Sequence, residues 1–148
     1  MYVELARENS FQQIANIVES LRAQTDFKLE QFNWNSESIL SELASAQTLI
    51  VQDEQKIVSF LCYRESADAI EITVLATKPG RQKQGWQSLL LEDLKKHQVS
   101  VHKPILLEVH AKNTRAQSLY KNRGFLEVAR RKNYYRDGSE ALVLQLQS

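Results

Sequence analysis

Two residue types with complementary acid–base chemistry stand close together in the segment Pro104–Phe125, PILLEVHAKNTRAQSLYKNRGF. Glu108 is a carboxylate set into the apolar run Ile105, Leu106, Leu107 and Val109. Tyr120 carries a phenol one element further on, where its hydroxyl can point back to the same cleft. A carboxylate takes a proton and a phenol gives one, so the pair suits a general base and a general acid. A plainer account is also open, in which Glu108 pairs with Lys112 or Arg115 and Tyr120 is a core tyrosine with its hydroxyl at the surface. A second stretch with chemistry in it is Pro79-Gly80-Arg81-Gln82-Lys83-Gln84-Gly85. Glycine lets backbone approach a ligand, and the first turn of a helix offers unpaired N–H groups, so this loop suits an anion such as a diphosphate. It has neither the Gly-Lys-Ser/Thr of a P-loop nor GxGxxG, and a solvated basic loop is the alternative.

These residues need elements to hold them. Ile105–Val109 reads as a short buried strand, and Ala116, Leu119 and Tyr120 recur at helical spacing after a cap at Asn113 or Thr114, with Gly124 placed to end the helix. The pattern from Gly85 to His97 is a helix, with Trp86, Leu89, Leu90 and Leu94 apolar. Upstream, Tyr2–Leu5 is strand-like, and Asn9 or Ser10 caps a helix whose apolar stripe is Phe11, Ile14, Ile17, Val18 and Leu21. Arg22–Asn35 is polar with three aromatics, Phe27, Phe32 and Trp34, that suit core satellites or a substrate mouth; Ser36 begins a second helix with Ile39, Leu40 and Leu43. From Thr48 the period changes to that of strands: TLIVQD, KIVSFLCYRE and AIEITVLAT form an antiparallel meander. After Gly124 two more strands flank Asp137-Gly138, a hairpin turn. The predicted order is β-α-α-β-β-β-α-β-α-β-β, a mixed α+β fold with helices on both faces of one sheet.

The chain of 148 residues suits one domain, 1–148, with a sizeable core. No run is long and apolar enough to span a membrane, and the start lacks a signal-peptide pattern, so a cytoplasmic, non-membrane protein is the default expectation. Cys62, the single cysteine, lies in an apolar run and reads as a buried structural thiol. No cluster has metal-ligand spacing, so no metal is expected. His110 shares a strand face with Glu108 and reads as a surface residue or a member of a water-mediated proton path; His97 and His102 flank a loop, solvated. The net charge of +1 hides a split, −7 over residues 1–71 and +8 over 72–148. One half then meets an anion and the other a cation, or solvated faces simply differ in sign. A nucleic-acid partner is not expected from the basic half alone.

The run Glu108–Phe125 resembles the Asn-xx-Ala-xx-Leu-Tyr-xxx-Gly-Phe pattern of the GNAT acetyltransferases, carried here by Asn113, Ala116, Leu119, Tyr120, Gly124 and Phe125. Arg130-Arg131-Lys132-Asn133-Tyr134-Tyr135-x-Asp137-Gly138 is similar to the tail of the RimI-like N-terminal (ribosomal-protein-alanine) branch, and Gln82–Gln87 falls where the family has its pyrophosphate loop. Trp34 with Ser36 is similar to the Trp-Ser segment of the substrate-side helix. The resemblance implies a mostly antiparallel seven-stranded sheet splayed open in the middle to admit acetyl-CoA. It implies Glu108 as general base and Tyr120 as general acid in direct attack by an amine. It places the cofactor against Leu75, Ala76, Thr77, Gln82, Lys83, Gln84, Gly85, Trp86, Gln87, Asn113, Ala116 and Tyr120. Trp34, Tyr134 and Tyr135 would face the substrate. The implied acceptor is a primary amine, best a protein N-terminus, and the implied assembly a monomer or weak dimer. The basic half then holds the CoA elements, and the acidic half, with Glu37 and Glu42, the helices that meet a basic peptide.

One departure stands out: the last small residue of the loop, Gly or Ala in the family, is Gln87. Its side chain either points away, since only the N–H is needed, or narrows the site. Two rival readings follow. One is an acetyltransferase of the same fold for a small amine or lysine. The other is a non-catalytic acyl-CoA-binding module.

Overall fold

The computed structural model describes residues 2–24, 28 and 32–148. Phe27 lies outside the described residues. The elements are β1 (Val3–Leu5), α1 (Glu8–Arg22), α2 (Ser36–Ser45), β2 (Gln47–Asp53), β3 (Lys56–Glu65), β4 (Ile70–Thr77), α3 (Trp86–Val101), β5 (Ile105–His110), α4 (Thr114–Lys121), β6 (Leu126–Arg131) and β7 (Ala141–Leu146), in the expected order. The seven strands form one sheet ordered β1-β2-β3-β4-β5-β7-β6. Every pairing is antiparallel except β4 with β5.

That parallel pair holds at only two positions, Ile70 with Ile105 and Glu71 with Leu106. Beyond them the strands diverge, and the facing edges of Ile72–Leu75 and Leu107–His110 line a cavity. The cause is local. The register of β4 against β3 shifts between Cys62 and Tyr63, leaving Thr73 without a partner in the pairing. An extra residue in one strand bends it and increases its twist. Here the bend falls just where β4 leaves β5.

The two faces are covered by different helices because strand side chains alternate. Ile105, Leu107 and Val109 of β5 join Leu90, Leu91 and Leu94 of α3 and Tyr120 of α4 in one core. Ile50, Phe60, Cys62, Val74 and Ala76 face the other way, onto Ile14, Val18, Ile39 and Leu43 of α1 and α2. Glu108 and His110 fall on this second face by the same alternation.

Two helix ends differ from expectation, the start of α1 and the end of α3, while α2 begins at Ser36 as expected. The start of α1 is Glu8, with Arg7 as an N-cap that makes no side-chain bond, and not Asn9 or Ser10. The acid in the first turn suits the positive end of the helix dipole. Asn35, preceding Ser36, caps α2 through a reciprocal box with Ser38. Helix α3 runs past His97 to Val101, because Val101 still packs on the core and Gln98 donates to the Leu146 carbonyl at 2.8 Å. His102 ends it in the left-handed region. His97 therefore sits within α3, where its Nε2 lies 2.6 Å from Glu65.

Glu42 is buried, with its carboxylate bound twice by Arg64, at 2.8 and 3.1 Å, and once by the Thr73 hydroxyl at 2.8 Å. The charge that the sequence offered to a peptide is thus matched inside the protein. Arg64→Ala leaves the carboxylate short of partners and is expected to cost on the order of 1–3 kcal/mol. Thermal unfolding checks this as a fall of several degrees in Tm.

Cys62 is fully buried beside Thr48, and burial pushes its thiol up to about 12 from an ordinary 9.0. Above pH 9 the unfolded thiol ionises while the folded one keeps its proton, so stability falls as pH rises through that window. Cys62→Ala is expected to flatten the fall in Tm between about pH 8 and 10. Iodoacetamide at about pH 9 should leave the folded thiol unmodified.

Candidate active site

Two cavities meet along the splayed strands. The first, about 650 Å³, lies between β4, β5, the segment before α2 and the β6–β7 loop. Glu108 faces into it from β5, with Trp34 and Phe32 on one wall and Tyr134, Tyr135 and Arg136 on the other. The second, about 510 Å³, lies between the end of β4, the start of α3 and α4. Leu75, Asn113, Ala116 and Tyr120 line both. The phenol of Tyr120 therefore stands at the junction of the two cavities.

The walls of the two differ in charge. Lys83 and Arg115 line the second cavity, and among the described residues no carboxylate does. Glu42, Glu71 and Glu108 line the first, with Arg136 as the one lysine or arginine among the lining residues described. Glu42 is neutralised by Arg64, and Glu108 pairs with Arg131 at 3.1 Å. Its partner is thus Arg131 on β6, and neither Lys112 nor Arg115. Arg131 also lies over the Tyr134 ring, 5.6 Å from its centroid. The Tyr134 hydroxyl is held above its usual range, first by its interaction with the Glu108 carboxylate.

Tyr120 is 7% exposed, and burial pushes its phenol well above the ordinary value. The proton therefore stays on Tyr120 at neutral pH. Phe125 packs edge-on against the ring, with centroids 5.5 Å apart. Asn113 spends its side-chain oxygen on capping α4, accepting from the Ala116 N–H at 3.1 Å.

The 79–85 loop builds the floor of the second cavity. Lys83 and Gly85 both take positive φ, +63° and +86°. Left-handed residues alternating with ordinary ones turn successive backbone N–H groups toward one concavity, the geometry of an anion nest. Gly85 is the N-cap of α3 and supplies no side-chain cap. The N–H groups of Trp86, Gln87 and Ser88 in the first turn lack intrahelical acceptors. A Cβ built on Gly85 would meet nothing within 4 Å, so the backbone opens onto clear space. Uncapped donors, two cations and an unfilled approach fit a diphosphate. Arg81 does not face this cavity: it pairs with Asp53 and lies over the Trp86 indole at 5.4 Å.

Of the residues expected at the cofactor, Leu75, Thr77, Gln82, Lys83, Gly85, Trp86, Gln87, Asn113, Ala116 and Tyr120 line the second cavity. Ala76 and Gln84 do not. Ala76 is buried in the core under α1 and α2. The Gln84 side chain folds back, its oxygen accepting from the Trp86 indole at 3.1 Å and from Arg81 at 3.2 Å. Trp86 packs into the core, leaving chiefly its backbone for a ligand. Trp34, Tyr134 and Tyr135 all line the first cavity. Sequence reasoning missed Glu71, Arg115 and Arg136 in these places, because an isolated charged residue carries no pattern that says which wall it joins. It also misread His110, which is 1% exposed and not a surface residue.

Residues 12–147 match the family described as Acetyltransferase (GNAT) domain. The chain belongs to that family, and it is an acyltransferase by fold and membership. It is 32% identical over 130 residues to a [Ribosomal protein bS18]-alanine N-acetyltransferase of Haemophilus ducreyi, covering 81% of this chain and 90% of that one. The fold matches the crystal structure of the ribosomal-protein-S18-alanine N-acetyltransferase from Escherichia coli with TM-score 0.82, 23% identity, and 98% and 92% of the two chains covered. It also matches a GNAT acetyltransferase from Elizabethkingia anophelis with acetyl-CoA bound, with TM-score 0.76, 15% identity, and 99% and 97% covered. GNAT acetyltransferases use acetyl-CoA as acyl donor. No helix among the described residues is long and apolar enough to cross a membrane.

Proposed function

We propose that the chain acetylates the α-amino group of a protein N-terminus, with acetyl-CoA in the second cavity and the acceptor in the first. The observation that supports this most is the junction at Tyr120, where a cationic cavity meets one containing the Glu108 carboxylate. The Haemophilus ducreyi relative, named for an alanine acceptor on a ribosomal protein, makes N-terminal alanine the first acceptor to test.

Each chain residue then has one task. Acetyl-CoA supplies a thioester already activated for transfer, so no metal or covalent nucleophile is needed. Glu108 takes a proton from the ammonium, directly or through water; an α-amino group titrates near ~8, so a modest base is enough. The β5-facing backbone groups of β4 past Glu71 have no strand partner and are available to an acyl oxygen. Tyr120 keeps its proton for the departing thiolate. The burial that makes it a weak acid also makes a thiolate beside it more basic. The N–H groups at the start of α3, with Lys83 and Arg115, hold the diphosphate.

Thiol release from acetyl-CoA with a panel of N-terminal peptides and small amines tests this reading. Turnover of an alanine-start peptide above any small amine is expected. Preference for a small amine or a lysine side chain would replace the acceptor assignment, and absence of acetyl-CoA binding by calorimetry would remove the enzymatic one.

A further inference from the structure

His110 is a buried titratable group that this chemistry does not use. Its side chain is fully enclosed, yet it lines the first cavity two residues from Glu108. Both ring nitrogens are engaged. Nδ1 accepts the Lys112 backbone N–H at 3.0 Å, which places the ring proton on Nε2. Nε2 faces the two oxygens of Asp137 at 3.0 and 3.2 Å. Neither nitrogen is left for an amine or a water, so a proton-carrying role for His110 does not fit.

What the ring does is join elements. The backbone beneath it is fixed separately: the His110 main-chain carbonyl accepts from the Asn113 N–H at 2.9 Å and from the Gln117 side chain at 3.2 Å, at the start of α4. Tyr135 stacks on the ring, with centroids 4.5 Å apart, and Tyr134 meets Tyr135 edge-on at 5.1 Å. The loop is braced from its own side, since Asp137 also accepts the Ser139 N–H at 2.9 Å and the Ser139 hydroxyl at 3.0 Å. A buried polar ring without a partner is costly, so loss of Asp137 from Nε2 is opposed. The wall that carries Tyr134, Tyr135 and Arg136 is therefore held on the buried His110 ring by the Asp137 bond and the Tyr135 contact, with the exposed Lys112 ammonium 3.7 Å from Asp137 on the outer side.

We propose that His110 and Asp137 form a latch that positions the 132–139 loop over the acceptor cavity, making both of them positioning residues for the acceptor. This rests on the assignment of the first cavity to the acceptor given above. Neither side chain takes part in proton transfer.

The test uses the full chain, acetyl-CoA and an alanine-start peptide. Asp137 is on an exposed loop, so Asp137→Ala spares the core. Asp137→Asn keeps an oxygen for Nε2–H. Asp137→Ala is expected to raise the peptide KM about tenfold, the scale of one charge-assisted hydrogen bond. The acetyl-CoA KM should stay within about twofold, and Asp137→Asn should restore most of the peptide KM. Hydrogen exchange of residues 132–140 should quicken in Asp137→Ala and not in Asp137→Asn. Unchanged exchange overturns the latch. Faster exchange with an unchanged peptide KM, or with a shift in the acetyl-CoA KM instead, overturns its role toward the acceptor. If the wild-type chain turns over no N-terminal peptide, the acceptor reading fails by itself, and the exchange experiment still decides the latch.

Discussion

Glu108→Gln is expected to lower kcat/KM for an amine acceptor by about 10²–10⁴-fold, the usual contribution of a positioned general base. The amide keeps the size of the carboxylate and can still meet Arg131, so the wall of the cavity should survive. Acetyl-CoA binding by calorimetry should be unchanged, because Glu108 does not line the second cavity. The loss should shrink at high pH, where the amine loses its proton unaided, on the order of pH 9 and above. Tyr120→Phe gives the complementary result. Its kcat should fall on the order of 10²-fold, with no rescue at high pH, since the missing proton is the one for the thiolate. Because burial raises the Tyr120 phenol above its ordinary 10.0, the wild-type rate should show no fall from its ionisation below that pH. Undiminished rates in both variants would remove the base and acid assignments together.

Gly85→Val is the second large effect. The residue takes φ +86°, a left-handed conformation that costs an L-residue roughly 1–2 kcal/mol and is worst for a β-branched one. The added side chain also enters the clear space above the α3 N–H groups. Acetyl-CoA affinity should fall at least about tenfold, the equivalent of that strain. Gln87→Ala provides the contrast. The expected ligand at this turn is the N–H, which alanine keeps, so affinity should stay within about threefold. Calorimetric titration of both variants decides between an N–H site and one shaped by the Gln87 side chain. A large gain in affinity with Gln87→Ala would mean that the glutamine narrows the cavity.

Much of this was legible in the residue pattern. Short apolar runs bounded by turn residues marked β3 and β4 almost to the residue, since each buries side chains on both faces under a helix layer. The residue pattern narrows the cap of α4 to Asn113 or Thr114, and it is Asn113, because a short side chain that accepts from the third N–H is a local interaction. Local rules missed the start of α1, where Arg7 precedes the helix without a side-chain bond. They also placed the end of α3 at His97, four residues before the helix stops. There packing of Val101 and the Gln98 bond to β7 hold the helix on, and neither contact is local in sequence.

Which elements exist, in which order, and which residues were worth suspecting (Glu108, Tyr120 and the loop before α3) could be read from the residue pattern alone. Those are properties of period, turn chemistry and side-chain type, which act over a few residues. Three-dimensional packing set the rest. It opened the sheet between β4 and β5 after two pairs, because a bulge at Thr73 turns β4 away. It gave Glu108 an arginine from β6, buried His110 beneath an acid from the next hairpin, and satisfied Glu42 from β3. Each of these partnerships joins residues 22–27 positions apart, and the distance over which a charge acts is set by the fold and not by the chain.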